Sequence, residues 1–228
     1  MSVRRVVDVL LAGMALVVAA PVLAAAALGI RLASPGPILY RAQRIGLHGR
    51  PFTMYKLRTM HVAQASTSAI TPLGDPRVFP LGALLRRVKL DEVPQLLNIL
   101  RGDMAIVGPR PEDPRMVELF YAPLHHETFR VLPGLTCPGS IYSYTHGEAQ
   151  LDRADPERSY AEGLLPVKLA LDLVYVRRVS LGYDLALMAR TAWMLGTAFL
   201  GRRDFPLPPE LPEARRIMRE EGAARVTA

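Results

Sequence analysis

The chain has one cysteine, Cys137, among 228 residues. No internal disulfide can form, so nothing in the sequence implies an oxidising compartment. There is no Cys-x-x-Cys pair and no Cys/His cluster, which argues against structural zinc. His125 and His126 lack partners at ligand spacing and read as surface or packing histidines. Cys137 lies beside proline and glycine, without the helix start or basic neighbours of an activated thiol, and reads as a small packing residue. Gly46-x-x-Gly49 is followed by no helix bearing Lys-Ser/Thr, so it is a turn rather than a phosphate loop. No internal repeat is visible. The most telling absence is acid: from Val9 to Gly74 there is no Asp or Glu. Arg31, Arg41, Arg44, Arg50, Lys56 and Arg58 therefore meet no local counter-ion.

What is present is basic and apolar. The net charge is +7 and half of the residues are hydrophobic, although only 7% are aromatic. The mean hydropathy of +0.16 is high for a soluble domain. This balance fits nucleic acid, anionic lipid or a phosphorylated substrate, and by itself selects none of them. The length suits one ordinary domain, or one domain and a membrane anchor.

Val9 to Ile30 carries no charge and is flanked by Arg4 and Arg5 before it and Arg31 after it. Three readings compete: a cleaved secretory signal, a straight transmembrane helix, and a helix broken at Pro21 that dips into one leaflet and returns. Proline removes an amide donor and clashes with the preceding turn, so a kink is expected at Pro21. Basic residues flank both ends, the mark of cytoplasmic segments, which favours the re-entrant hairpin. For the basic stretch that follows, contact with anionic head groups is the stronger reading beside a membrane, at about 1 kcal/mol per residue.

Further along, Ser34-Pro35-Gly36-Pro37 ends the membrane segment. Ile38–Tyr40 and Phe52–Tyr55 read as strands of a hairpin around Gly46–Arg50. Residues 61–76 are small, polar and turn-prone, a loop. Leu81–Arg87 reads as a short helix. Asp91–Arg101 reads as another, with Val93, Leu96, Leu97 and Leu100 on one face and Gly102 as its C-terminal cap. Pro114–Phe120 and His125–Val131 are short helical segments. Val167–Leu200 gives one or two long helices whose charges (Lys168, Asp172, Arg177, Arg178, Asp184, Arg190) suggest an amphipathic element lying on protein or membrane. The tail from Arg202, with four prolines before Glu213, reads as a loose appendage. The division is a membrane helix over 1–33, a main domain over 34–200 and a tail over 201–228. The fold class is mixed α/β, predominantly helical and monotopic, with a small β-hairpin and interfacial helices.

Asp91 and Glu92 stand at the start of that helix, where amide hydrogens and the dipole favour ionised carboxylates. Two carboxylates at a helix start are ordinarily a cap. Here Arg86, Arg87 and Lys89 precede them, and Arg110 follows within Gly108-Pro109-Arg110-Pro111, where two prolines fix the backbone and aim one guanidinium. Arginine matches phosphate oxygens in bidentate fashion. The set suits Mg²⁺ with a pyrophosphate, and a carboxylate can also act as nucleophile toward phosphorus.

These motifs resemble those of the bacterial sugar transferases, the monotopic polyprenyl-phosphate phosphoglycosyl transferases. The resemblance rests on Ser34–Pro37, Gln43–Gly46, Tyr55–Met60, Asp75–Arg77, Leu85–Arg87, Leu90–Asn98, Gly102–Met104, Val107–Glu112 and Pro133–Thr136, and on Asp172, Tyr175, Ser180 and Asp184. It covers roughly residues 2–200, the minimal catalytic core of such enzymes. It implies a two-step reaction at the cytoplasmic leaflet of a bacterial inner membrane. Asp91 would attack the sugar-bearing phosphate of a UDP-sugar and expel UMP, and polyprenyl (undecaprenyl) phosphate would then take the sugar phosphate. This is the first membrane step of polysaccharide or glycoconjugate assembly. Mg²⁺ would bind at Asp91, with Glu92 as metal-site partner or base. Arg86 and Arg110 would contact phosphate, with Arg58 and Arg77 as weaker candidates. Anionic lipids are expected partners, nucleic acid is not, and the oligomeric state is open, a homodimer among the options.

Two departures stand out. The residue before the kink proline is Ala20 where the family often has Ser. The segment Thr136–Tyr144 replaces a common Trp-Ala-Gln run and bears on sugar or nucleotide choice. The rival readings are a Mg²⁺-dependent membrane phosphatase using the same carboxylates, and a non-enzymatic basic membrane scaffold.

Overall fold

In a computed structural model, describing residues 2–62, 74–147, 151–152 and 154–226, the acid-free N-terminus forms one helix, α1 (Val3–Ala33). Ser2 caps it, its Oγ accepting from the Arg5 amide. The helix is long and apolar enough to cross a membrane by length and composition. It stays helical through Pro21, which is exposed, so two separate hairpin arms do not appear. Ala12, Leu16, Leu23, Ala26 and Ile30 pack inward on both sides of the proline. Their spacing keeps one face in phase along the whole helix, so that face holds it against the domain. The opposite face leaves Leu10, Met14, Val17, Val18, Val22, Leu28 and Leu32 exposed.

Strands β1 (Leu39–Ile45) and β2 (Pro51–Leu57) pair antiparallel from Leu39 opposite Leu57 to Ile45 opposite Pro51, the hairpin expected from the sequence. Ala42 and Met54 are buried with Leu96, Ile99 and Met104 beneath α1. The loop expected over 61–76 lies largely outside the described residues. Helix α2 (Pro80–Arg87) follows, and then a 3₁₀ turn, Leu90–Glu92.

Here the structure corrects the sequence reading. Asp91–Arg101 is not one helix: Lys89 adopts a left-handed conformation (φ 56°) that turns the chain into the 3₁₀ turn. The α-helical run, α3 (Gln95–Arg101), begins only after Pro94. Gly102 closes α3 as expected, at φ 96°, a region that favours glycine. Asn98 knits α3 to β2: its Oδ1 accepts from the Tyr55 amide at 3.1 Å and its Nδ2 donates to the Thr53 carbonyl at 2.7 Å.

Two short strands, β3 (Ala105–Val107) and β4 (Gly134–Thr136), pair in parallel and carry the Gly-Pro-Arg-Pro segment to the site. Between them lie α4 (Pro114–Phe120), capped by Asp113, and a 3₁₀ segment, Pro123–Arg130, in which His125 is buried against Glu221 at 3.2 Å. Next come α5 (Pro138–Tyr142), a π-helical turn (Ser143–Gly147), and α6 (Pro156–Ser159), which leads through a second π turn into α7 (Leu165–Arg178). Val167–Leu200 resolves into two helices, α7 and α8 (Leu181–Phe199), the latter capped by Ser180.

Lys168 and Asp172 are both buried in α7. One expectation about the C-terminal half fails: the tail is not a loose appendage. It forms α9 (Leu211–Val226), which sets Leu211, Ala214 and Ile217 against Ala170, Leu171, Leu173 and Val174 of α7. Burying a Leu or Ile side chain stabilises by roughly 1.5–3 kcal/mol. The prolines lie ahead of the helix or in its first turn, where a missing amide hydrogen costs little.

Candidate active site

The 3₁₀ turn places Asp91 and Glu92 in unlike surroundings. Asp91 is 6% exposed, and its Oδ1 is buried without a hydrogen-bond partner. Burial pushes its carboxyl above the usual range, only partly opposed by Lys56, and the neighbouring Glu92 charge adds to the rise. Glu92 Oε1 accepts from Arg110 Nη2 at 2.7 Å and from Lys56 Nζ at 3.4 Å. Burial alone would raise Glu92, but Arg110, Lys56 and Lys89 outweigh it and hold the carboxyl well below the carboxylate range. The helix dipole was expected to keep both acids alike. Instead the turn separates them from the α3 axis, and burial and partners drive their affinities for the proton apart. Such a split assigns different tasks to paired carboxylates.

Lys56 was read from the sequence only as part of a basic face. Its place on β2 brings it to Glu92, and burial lowers its ammonium pKa although Glu92 opposes the shift. Only the hairpin register could have revealed it. Gln95, just beyond the turn, is fully buried with neither amide atom partnered by protein.

The four arginines singled out in the sequence line one cleft with Asp91, Glu92, Lys56 and Lys89. Its volume of about 2140 Å³ exceeds the few hundred to about 1,000 Å³ of an ordinary small-molecule pocket. Within it the arginines differ. Arg110 is locked onto Glu92. Arg86 Nε donates to Thr59 Oγ1 at 2.8 Å. Arg77 grips Asp75 through Nε and Nη2. Arg58 is buried and donates to the Ser34 hydroxyl and carbonyl and to the Pro37 carbonyl. It thereby fastens the end of α1 to β2, so its guanidinium is largely committed to protein.

A buried polar network forms part of the cleft's lining. Glu112 Oε1 accepts from Tyr160 Oη at 2.6 Å and from Lys168 Nζ at 2.8 Å. Lys168 also lies 3.7 Å from Asp172. Burial raises the Asp172 carboxyl to about 6 despite Lys168, while burial pushes the Cys137 thiol up, which fits the packing role read from the sequence. Asp172 is raised above its unfolded value of about 3.9, so the stability it contributes is present below that value and is lost as pH rises to about 6. The stability advantage of wild type over Asp172→Asn should therefore shrink between about pH 4 and about 6, by urea unfolding at each pH. A difference constant with pH would remove this account.

The chain matches the family model for bacterial sugar transferases over residues 1–198. It is 38% identical over 191 residues to a UDP-glucose:undecaprenyl-phosphate glucose-1-phosphate transferase of Caulobacter vibrioides, covering 82% of this chain and 67% of that protein. It is 32% identical over 208 residues to a UDP-N-acetylgalactosamine-undecaprenyl-phosphate N-acetylgalactosaminephosphotransferase of Aeromonas hydrophila, covering 88% of this chain and 45% of that one. An exopolysaccharide production protein of Rhizobium leguminosarum is 33% identical over 195 residues, covering 82% of this chain and 92% of that protein. An aspartate–glutamate pair set among arginines at the foot of an apolar helix, with a family match over most of the chain, leads to one assignment: this protein belongs to the bacterial sugar transferase family.

Proposed function

We propose that this protein transfers a sugar 1-phosphate from a UDP-sugar to undecaprenyl phosphate through a covalent intermediate on Asp91. The observation that carries the reading is the buried, partnerless Asp91 Oδ1 in a cleft lined by cations. In the first step an Asp91 oxygen attacks the sugar-bearing phosphorus. The bond from that phosphorus to the oxygen bridging the two phosphates breaks, and UMP leaves with the bridging oxygen. In the second step a phosphate oxygen of the lipid attacks the same phosphorus, the bond to Asp91 breaks, and the lipid diphosphate sugar forms. Its chemistry places the reaction at the start of polysaccharide assembly on a lipid carrier.

Glu92 serves as a clamp that holds Arg110 and Lys56 toward the phosphates. Its low proton affinity and double engagement fit a clamp better than a base. Arg110 and Arg86 are the phosphate-binding residues, with Arg77 beside them. Among the described residues no group of three or more His, Cys, Asp or Glu could hold a metal ion. The free Asp91 oxygen together with a substrate diphosphate nonetheless fits Mg²⁺, which binds through one or two carboxylates and phosphates. When bound, Mg²⁺ would neutralise charge on the diphosphate.

The membrane reading is a monotopic one, at the cytoplasmic leaflet. Both ends of α1 are fastened to the same domain. Arg4 Nε donates to Asp184 Oδ2 at 2.6 Å, Arg4 Nη2 donates to Tyr175 Oη, and Arg5 donates to the Leu100 and Met104 carbonyls. At the far end Arg58 holds Ser34. Two anchored ends support entry and exit by one leaflet, with the apolar face of α1 against lipid.

The test is UMP release from a panel of UDP-sugars with Mg²⁺ and undecaprenyl phosphate. UMP and a lipid-linked sugar are expected with at least one sugar. Free phosphate released without lipid would identify a phosphatase, and no UMP from any sugar overturns the proposal. For topology, cysteines placed at positions 2 and 40 should label from the same side; labelling from opposite sides overturns the one-leaflet reading.

A further inference from the structure

The family match ends at residue 198, yet Arg202, Arg203 and Phe205 line the same cleft as Asp91. A wall of the site is thus built by a part of the chain beyond the matched region. Gly201, at φ 96°, turns the chain after α8. Arg202 then lies over the Trp193 ring at 5.0 Å from its centroid and over Phe205 at 5.8 Å. Its Nε donates to the Asp204 carbonyl at 2.6 Å.

This strap is tied at both sides. On the site side, His146 Nε2 lies 3.2 Å from the Phe205 carbonyl, joining it to the π turn Ser143–Gly147. On the far side, buried Glu210 accepts from Tyr183 Oη at 2.7 Å and from both terminal nitrogens of Arg190. Glu213 pairs with Arg178, and α9 buries its apolar face on α7. Helix α9 therefore acts as a latch that fixes where the strap runs.

The wall has a definite chemistry. The Tyr144 ring lies 4.9 Å from Lys89 Nζ, two residues before Asp91. Ser143 Oγ is buried without a protein hydrogen-bond partner and lies in a cleft-lining residue. Arg203 is exposed and forms no ion pair among the described residues. Two aromatic rings, a hydroxyl and an available guanidinium suit a base, a ribose and a phosphate, whereas a polyprenyl chain offers partners for none of the polar groups. An apolar part of the lining, Pro37–Leu39 shortly after α1 together with Met60 and Val62 after β2, suits the lipid.

We infer that the strap Arg202–Phe205, together with Ser143 and Tyr144, holds the nucleotide half of the donor, with Arg203 as a substrate-binding residue and α9 as the latch. This inference rests on the transferase reading above. In the full chain, Arg203→Ala should raise KM for the UDP-sugar about tenfold, the scale of one lost charge-assisted contact, with KM for undecaprenyl phosphate within about twofold of wild type. UDP affinity by calorimetry should fall by the same factor, with the melting temperature unchanged. Ile217→Asp, which undocks α9, should reproduce the donor KM shift, and Arg219→Ala on the exposed face of α9 should leave both KM values alone. A change confined to the lipid KM, or no change in either, overturns the inference while the transferase reading stands. A wild-type chain that binds UDP through Arg203 but releases no UMP overturns the reading and leaves the nucleotide wall in place.

Discussion

Asp91→Asn is expected to lower UMP release by at least about 10³-fold, because the amide keeps the shape of the carboxylate but cannot form the bond to phosphorus. Intact-mass measurement after mixing wild type with donor, without lipid, should show the sugar phosphate on the protein, and Asp91→Asn should not. The fold should survive, since Oδ1 makes no hydrogen bond that the substitution would break. Activity that persists in Asp91→Asn would sink the covalent step. The pH profile carries a second signature. Burial raises the Asp91 carboxyl, so the nucleophile is lost by protonation as pH falls through a value higher than the ordinary Asp figure of about 3.9. The acid limb of kcat should accordingly lie above that figure. Removing the opposing cation, as in Lys56→Met, should move the limb further up.

The second large effect is structural. Gly134→Ala would place a Cβ 2.2 Å from the Gly108 nitrogen and 2.7 Å from the Val107 carbonyl carbon. Both are backbone atoms on the paired strand and have no rotamer through which to move away, so β3 and β4 must separate. Arg110 lies two residues after Gly108 on that segment, so the clamp on Glu92 should fail together with the strand pair. The expected loss is about 4 kcal/mol or more in urea unfolding, with activity falling alongside. Gly163→Ala, where an added Cβ meets nothing within 4 Å, serves as the comparison and should stay within about 1 kcal/mol of wild type. Equal stabilities for the two variants would show that the close approach of β3 and β4 is not needed.

Some of this was legible along the chain because its causes are local. The uncharged run Val9–Ile30, the hairpin around Gly46–Arg50 and the Gly102 cap each follow from a few neighbouring residues, and all appear in the structure. The Asp91–Glu92 pair and Arg110 could also be picked out from their types and order, and the structure brings Arg110 onto Glu92. What each carboxylate does could not be read this way. Helix periodicity carried the pair onto α3, whereas the left-handed turn at Lys89 and the break at Pro94 took it off.

The sequence by itself determined an apolar, acid-free N-terminal segment, two adjacent acids among basic residues, and a family resemblance that the comparisons bear out. Only the tertiary structure decided that Arg110 and Lys56 converge on Glu92 while Asp91 keeps an unpartnered oxygen. It also showed Lys168 and Asp172 buried, with Lys168 at the cleft, and a proline-rich tail folded back to wall the site. The physical reason is range: backbone turns and apolar periodicity are written in adjacent residues. Burial and the distance between charges depend on segments far apart in the chain, and those two quantities set the proton affinities on which the chemistry rests.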